Sequence, residues 1–424
     1  MTDFPIPSNE HERLKELRRL RFDEWGSSAA LGEVCGIAAK LLGTPISHVS
    51  LVDEEEQIFA GQVGLDVERT AREVAFCAHT IMTSKPFIVE NADNDPRFCL
   101  NPLVTTQPGI KSYLGIPLET SPGVRIGAMC AVDRKPRSFT DSDVRTLIGL
   151  SRIVISILNS HRMGLELNEQ LASAIALQND MLPSAARLAQ LQAHCPLDVS
   201  SYYHPLDGIG GDIWGIEATG PQRVMIYVAD FTGHGVGAAL NAARFHSFAH
   251  MIWQRTGRAE EFLRKLNQRL CEVLPTGQFA TMFCATIDFA THSIEYASAG
   301  APPQLYRASR ERPFEIISQS SLPLGILPSA TYESNAAPFL PGGELILYSD
   351  GLIETPKPPR SILTTDRLRE LLDQLNGGEN ALQLCQSILG RLFAEPSVKA
   401  VDDITLVVAR HTGAVTEAII DYEV

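Results

Sequence analysis

The chain has 424 residues, of which 44% are hydrophobic and 20% charged, and a formal net charge of −14. That length exceeds what a single core usually serves and predicts two globular domains. The acidic balance argues against a nucleic-acid or anionic-membrane surface, since both need local cations to neutralise phosphates. No apolar run reaches the roughly 18 residues of a membrane span, and the start, Met1-Thr-Asp-Phe-Pro-Ile-Pro7, has no signal-peptide core, so a cytoplasmic protein is expected. The eight cysteines (35, 77, 99, 130, 195, 271, 284 and 385) include no CxxC pair. Several sit in apolar surroundings where a reduced thiol is a small hydrophobe, and neither a disulfide framework nor a zinc site is indicated.

Residues 1–27 form an N-terminal segment with a short charged helix over 11–22. Residues 28–160 read as a first domain, starting with a helix whose apolar spacing runs from Leu31 to Leu42 and stops at Gly43. Strand-like runs follow at 48–52, 85–90, 111–118 and 125–132, which predicts helices flanking an antiparallel sheet. Thr140 is a helix cap with Asp141 and Asp143 in the first turn, and no proline interrupts the chain from there to Met181. Leu147, Leu150, Val154, Ile157, Leu165, Leu171, Ile175 and Leu182 fall mostly on one helical stripe, broken by His161 and Asn168. The first half of this helix can pack on the front domain, and residues 161–183 read as a helical linker and switch, with a parallel dimer coil as the favoured use. Pro183 ends the helix. Residues 184–412 read as a second, strand-rich domain with strands at 202–205, 223–229, 280–289, 294–298, 344–349 and 404–410 and helices at 238–255, 260–273, 366–375 and 381–393. A tail, 413–424, closes the chain.

Acidic residues stand where apolar strands end or in glycine turns. They are Asp212 in Gly210-Gly211-Asp212, Asp230 after Val224-Met-Ile-Tyr-Val-Ala229, Asp350 after Leu345-Ile-Leu-Tyr-Ser349, and Asp402-Asp403 before Ile404-Thr-Leu-Val-Val408. Each alone is what turns and helix caps use. Together, with few histidines or thiolates nearby, they suit hard divalent cations such as Mg²⁺ or Mn²⁺. A binuclear centre of that kind activates a water and neutralises a phosphoryl group. In Phe231-Thr-Gly-His-Gly-Val-Gly237 the glycines permit close backbone approach ahead of an Ala-rich helix whose N-terminus favours an anion. His234 is there either as a general acid or to cap and pack that helix.

The ordered set Gly210-Gly-Asp212, Ala229-Asp-Phe-Thr-Gly-His-Gly235, Ala299-Gly-Ala-Pro-Pro303, Leu322-Pro-Leu-Gly-Ile326, Tyr348-Ser-Asp-Gly-Leu-Ile-Glu354 and Asp402-Asp-Ile-Thr-Leu406 resembles the SpoIIE/RsbU branch of the PPM, or PP2C-like, serine/threonine phosphatases. The resemblance covers nearly all of residues 184–412. It implies an αββα sandwich whose two central sheets bring acidic residues to a site for two Mn²⁺ or Mg²⁺ ions. Asp212, Asp230, Asp350 and Asp402 are the implied ligands, with Asp403 second to Asp402, the backbone carbonyl of Phe231 as a further donor, and Gly211 beside it. Asp230 and Asp350, with His234, are the implied catalytic set. The implied substrate is a phosphoserine or phosphothreonine on a partner protein, a STAS-type anti-sigma-factor antagonist, without contact to nucleic acid or membrane. Many family members follow Gly-Gly-Asp-aromatic-Tyr with a second Asp, whereas this chain reads Ile213-Trp214-Gly215. The alternative reading is therefore a catalytically weakened PPM-fold scaffold that binds a partner without turnover.

Residues 28–160 resemble a GAF domain, in Phe76-Cys-Ala-His79, Asn91-Ala-Asp-Asn-Asp-Pro-Arg-Phe98, Tyr113-Leu-Gly-Ile-Pro-Leu118 and Ile126-Gly-Ala-Met-Cys-Ala-Val-Asp133. The family fold is an antiparallel sheet with helices, often dimeric, whose pocket holds a small ligand or chromophore. Cys77 and His79 are pocket candidates, although both residue types also pack well beneath a sheet, and the residues name no ligand. The whole is expected to be a homodimer through the GAF domain and the linker helix, with Leu177-Gln-Asn-Asp-Met-Leu-Pro183 passing a signal to the phosphatase domain.

Overall fold

The computed structural model describes residues 4–22, 28–253, 256–354, 356–357, 361–375, 380–393 and 400–414 and divides between Gln170 and Leu171 into two units. Most of the predicted tail lies outside the described residues. Among the described residues no helix is long and apolar enough to cross a membrane.

In the first unit, helix α1 (Glu10–Arg18) precedes α2 (Ala29–Leu42), which Ser28 caps by accepting from the Leu31 N–H and which Gly43 ends with a φ of 64°. Strands β1 (Ile46–Val52), β2 (Glu56–Val63), β3 (Arg69–Ala71), β4 (Phe87–Val89), β5 (Ser112–Ser121) and β6 (Val124–Asp133) form one antiparallel sheet in the order β3-β2-β1-β6-β5-β4. Sequence periodicity misses β2, where polar Gln57 and Gln62 and a glycine dilute the apolar pattern. The glycine has a packing reason: a Cβ on Gly61 would lie 2.6 Å from Leu31 of α2. Short helices α3 (Phe76–Thr80) and α4 (Pro102–Thr105) cover one face over Phe98, Tyr113, Ala128, Cys130 and Val132. The other face buries Val49, Leu51, Met129 and Ala131 against α1, α2 and the start of α5 (Asp141–Asn179).

The N-terminal segment therefore belongs to the core of the first unit. Glu10 fastens it, receiving Arg13 at 2.7 Å and Arg72 at 2.5 Å, both guanidiniums being 1% exposed. Burial acts to raise the Glu10 carboxyl, but the two guanidiniums hold it down at about 2. Helix α5 opens with a capping box, the Thr140 N–H donating to Asp143 Oδ2 at 2.8 Å and the Asp143 N–H to Thr140 Oγ1 at 3.2 Å. It continues for 39 residues and contains the boundary between the units. Ile153, Met163, Leu167, Leu171 and Leu177 are each at least 36% exposed, and at about 100° per residue they lie within about 120° of arc.

The second unit begins its sheets with β7 (Leu197–His204), β8 (Ile213–Gly220), β9 (Arg223–Phe231), β10 (Ala280–Asp288), β11 (Ser293–Ala299), β12 (Gln304–Arg307), β13 (Glu315–Ile317), β14 (Asn335–Pro338) and β15 (Glu344–Tyr348). A two-stranded ribbon, β16 (Pro356–Lys357) with β17 (Ser361–Ile362), and the long β18 (Ile404–His411) follow. Two five-stranded sheets result, β14-β11-β10-β9-β8 and β13-β12-β15-β18-β7. Their central strands are apolar on both faces, which is why β9, β15 and β18 read as continuous hydrophobic runs. Along β9, Val224, Ile226 and Val228 enter the core between the sheets, while Met225, Tyr227 and Ala229 face helices Val236–Trp253 and Ala259–Val273. Along β15, Leu345 and Leu347 point between the sheets and Ile346 and Tyr348 face helices Thr365–Gln374 and Ala381–Leu392. Four layers, αββα, follow from that alternation. β7 starts five residues before the predicted strand, because Leu197 and Val199 are buried between the sheets.

One buried charge cluster fastens the second sheet. Glu344, 1% exposed at the start of β15, lies opposite Arg307 of β12 and Arg410 of β18 in register and pairs with both, at 2.5 and 2.9 Å. Removing one member of such a group strands the others in a dry interior. Glu344→Ala is expected to lower unfolding free energy by about 3–5 kcal/mol in urea titrations, with the native far-ultraviolet spectrum retained below the transition.

Candidate metal centre

Antiparallel pairing decides where the acidic residues meet. In one sheet β9 ends at Asp230–Phe231 beside the start of β8, with Ala229 opposite Ile213, so Asp212 and Asp230 come to the same end. In the other, β15 ends beside the start of β18, with Tyr348 opposite Leu406, which brings Asp350 next to Asp402 and Asp403. Both hairpin-like ends lie at the same end of the sandwich, since carboxylates of one sheet act electrostatically on those of the other.

Asp212 is the most enclosed of the set, 1% exposed. Its Oδ2 accepts from the Thr405 hydroxyl at 2.6 Å, and its Oδ1 is buried without a partner. Burial pushes its carboxyl well up, with Asp403 and Asp350 adding repulsion against bonds from Ser349 and Thr405. Asp230 is pushed up to about 10, first by burial and then by Asp212, Asp350, Asp402 and Asp403. Asp350 is raised by burial, by Glu354 and by Asp402. The leading charges acting on these groups are all negative, and one carboxylate oxygen of the set, Asp212 Oδ1, is buried without a partner. A hard divalent cation is the complement such a set calls for, and the residues fit it. No three of the acidic donors lie within 4.8 Å of one another among the described residues, so the set is wider than one ion's immediate shell.

Asp403 has a different position from Asp402. Its two oxygens accept backbone N–H bonds, from Leu206 at 2.8 Å and Gly211 at 2.6 Å, so it braces the 205–211 loop. Among the described residues, Asp402 accepts the Asp403 N–H alone, on Oδ1 at 2.8 Å. Glycines allow this closeness: a Cβ on Gly211 would stand 2.6 Å from the Phe231 carbonyl oxygen, and Cβ atoms on Gly210 and Gly351 would collide with Asp403. Ser349 completes the frame, its Oγ accepting from the Thr405 N–H at 2.9 Å. Gln178, at the end of α5, holds the same loop from below, donating to the Gly210 carbonyl at 2.7 Å and accepting its N–H at 3.0 Å.

His234 is exposed in the loop between Gly233 and Gly235, both at positive φ, and its Nδ1 lies 2.7 Å from Asp207 Oδ2. Sequence reasoning overlooks Asp207, which lies in no motif, and although Ser349, Thr405 and Gln178 fall inside the runs 348–354, 402–406 and 177–183, it gives them no contact of their own. Gly215 is on the helix-facing side of β8, and the space its side chain would fill is taken by the Tyr227 ring, 2.5 Å from an added Cβ. Position 215 is thus closed to a larger side chain by Tyr227, which also contacts Phe245, Trp253 and Phe262.

In the first unit Cys77 and His79 diverge. His79 is half-buried and packs on Phe87 and Phe98, whereas Cys77 is buried with its Sγ 3.4 Å from Cys130 Sγ. Cys77 and Cys130 are both free thiols in the hydrophobic core, as expected of reduced cysteines in apolar surroundings, and the fold brings together residues 53 positions apart in the chain.

Residues 220–412 match the family model described as Stage II sporulation protein E (SpoIIE), and residues 28–157 match that of the GAF domain. The SpoIIE match begins after Asp212, but β7 and β8 lie within the same sheets. The chain is 24% identical over 245 residues to the phosphoserine phosphatase RsbU of Bacillus subtilis, covering 58% of this chain and 71% of RsbU. It is 34% identical over 180 residues to the cyclic di-GMP phosphodiesterase PA2567 of Pseudomonas aeruginosa, covering 42% of this chain and 31% of that protein's length. In fold it is similar to the SiaA PP2C domain of Pseudomonas aeruginosa, with a TM-score of 0.51 at 21% identity, over 58% of this chain and 98% of that domain.

Two measurements test the centre. A carboxyl raised in the folded state stabilises that state while protonated, so metal-free protein is expected to lose thermal stability as pH rises from 3.8, the ordinary Asp value, toward about 10, where Asp230 ionises. Mn²⁺ at a hundred times its Kd is expected to add about 2.7 kcal/mol and to flatten that slope, read from melting temperatures across pH. Gly215→Ala is expected to cost about 1–3 kcal/mol by overpacking while leaving the affinity for Mn²⁺ unchanged.

Proposed function

Because the chain joins a GAF domain to a PPM-type phosphatase domain of the SpoIIE family, we propose that it hydrolyses phosphoserine or phosphothreonine on a partner protein, with two Mn²⁺ or Mg²⁺ ions held by Asp212, Asp230, Asp350 and Asp402. The observation that carries this reading is the uncompensated carboxylate set at one end of the sandwich, Asp212 buried with its Oδ1 unpartnered and Asp230, Asp350 and Asp402 partly buried around it. The similarity to RsbU, a phosphoserine phosphatase, supports the reaction class. A STAS-type anti-sigma-factor antagonist is the proposed substrate and the cytoplasm the proposed setting.

Bound divalent ions supply an activated water and charge neutralisation at the phosphoryl group. The chain's own residues do the positioning. Asp403 fixes the 205–211 loop through the Leu206 and Gly211 N–H groups, Gly211 lets the Phe231 carbonyl approach, and Thr405 orients Asp212 by donating to Oδ2. His234, held by Asp207, is the proposed donor of a proton to the departing serine or threonine oxygen. Gly215 gives no reason to prefer a non-catalytic scaffold, since it faces Tyr227 on the helix side of its strand.

Regulation is proposed to run through α5. Gln178 lies at the end of that helix and makes two reciprocal bonds to Gly210, two residues from Asp212. A shift in the helix therefore changes the loop that presents a ligand, which is a physical contact rather than a correlation. The exposed apolar arc from Ile153 to Leu177 supports a homodimer along the same helix.

Hydrolysis of p-nitrophenyl phosphate and of a phosphoserine STAS protein is expected to require Mn²⁺ or Mg²⁺ and to stop with chelator. Asp230→Asn and Asp350→Asn are each expected to lower kcat/KM at least about a hundredfold, about 2.7 kcal/mol of transition-state stabilisation. Absence of turnover at saturating Mn²⁺ in the folded wild type would sink the enzymatic reading. Gln178→Ala is expected to raise the Mn²⁺ concentration for half-maximal rate about tenfold, as loss of a buried hydrogen-bonded pair does, with kcat preserved at saturating metal. An unchanged metal dependence would remove Gln178 from the regulatory route.

A further inference from the structure

A second group of donor atoms lies in the GAF domain, far from phosphate chemistry in character. His48 on β1 and Cys130 on β6 are direct cross-strand partners, and Cys77 reaches them from α3. One ligand atom from each of the three lies within 4.8 Å of the other two, and all three residues are buried. Cys77 Sγ and Cys130 Sγ are 3.4 Å apart. Tyr113 Oη lies 3.3 Å from Cys77 Sγ, 3.0 Å from Cys130 Sγ and 2.7 Å from Thr80 Oγ1. It can lie there because residue 115 is a glycine, whose absent Cβ would meet that hydroxyl and Thr80.

Three features go beyond ordinary core packing. His48 Nδ1 is buried without a hydrogen-bond partner, which a purely structural histidine avoids. Two donors each about 2.3 Å from a tetrahedral zinc stand about 3.8 Å apart, close to the sulfur separation seen. Finally, His48, Cys77 and Tyr113 line a cavity of about 280 Å³ shared with Phe59, Ile110 and Arg134.

We propose that His48, Cys77 and Cys130 bind one borderline-soft divalent ion, zinc or ferrous iron, with a remaining coordination position facing the cavity. Binding exchanges two thiol protons for the metal and leaves a site of no net charge, as a buried ion requires. Burial keeps the His48 imidazole neutral, its proton affinity falling to about 4, so its lone pair is available. Burial opposes the Cys77 thiolate too, but its neighbours, Cys130 first, outweigh that and bring it below the ordinary thiol range. Burial and then Cys77 push Cys130 well up, so that its proton leaves only against the metal's charge. Soft sulfur and imidazole donors separate this site chemically from the all-oxygen set of the phosphatase domain.

The test is cobalt titration of the reduced full chain. Binding at this site is expected to give thiolate-to-cobalt charge-transfer absorption in the near ultraviolet and intense tetrahedral visible bands, saturating at one equivalent per chain. Cys77→Ser, Cys130→Ser and His48→Gln are each expected to weaken that signal's affinity at least about tenfold, with native melting behaviour retained in His48→Gln. Asp230→Asn and Cys99→Ser should leave it unchanged, which separates this site from the phosphatase centre and from a peripheral thiol. Cobalt uptake without charge-transfer absorption, absorption that survives Cys130→Ser, or isolation of the pair only as a metal-free disulfide, two hydrogens lighter, would overturn the proposal.

Discussion

Carboxylates crowded at the dry end of a β-sandwich repel one another, and much of the second domain's detail follows from holding them there. Each acidic residue sits at one end of a strand, Asp212, Asp402 and Asp403 just before its start and Asp230 and Asp350 at or just past its finish, where a side chain can leave an apolar layer without breaking the alternation that buries both faces. Antiparallel neighbours then place a strand's end beside its partner's beginning, which gathers Asp212 with Asp230 and Asp350 with Asp402 and Asp403. The cost of the crowding is visible in the upward displacement of Asp212, Asp230, Asp350 and Asp403, with burial the largest contribution in each. Among the described residues, a buried cluster of positive charge, Arg307 and Arg410 about Glu344, lies at the opposite end of the same strands.

The loop 205–211 is the point where this electrostatic constraint meets the rest of the chain. Asp403 grips it from the second sheet, Phe231 abuts it from the first, and Gln178 grips it from α5. Three separate elements thus define the position of Asp212. A loop so determined is stiff while all three agree and has little to resist displacement when one changes. That property suits a site switched by a helix, because a small movement at Gln178 alters ligand geometry without unfolding a layer.

The layers and the acidic set were legible in sequence for a common reason: both depend on local pattern. Runs such as Leu345–Tyr348 and Ile404–Val408 announce strands buried on both faces, and aspartates flank them, Asp350 after the first and Asp402-Asp403 before the second. What sequence hides is pairing. Gly215 looks like a lost carboxylate until Tyr227, on the neighbouring strand, is seen in its place. Asp403 looks like a spare ligand until its oxygens are found on the Leu206 and Gly211 N–H groups. The N-terminal helix reads as a separate charged segment, because Arg13 and Arg72 look like surface residues until Glu10 pairs with both. Residues 48, 77 and 130 have no metal-ligand spacing at all; β1–β6 pairing and the placement of α3 create their proximity.

The donor chemistry of the two domains argues for a division of labour between them. Aspartate oxygens in the sandwich select hard ions by charge, while an imidazole and two thiols in the GAF domain prefer softer ones. If both sites drew on one pool of ions with similar preference, the larger and more charged acidic set would compete with the sensor for its own signal. With the two proposed sites, opposite preferences would remove that competition, so that the state of the GAF site could vary while ions in the acidic set stayed in place, and the link between them would be the Gln178 contact to Gly210 rather than a shared metal.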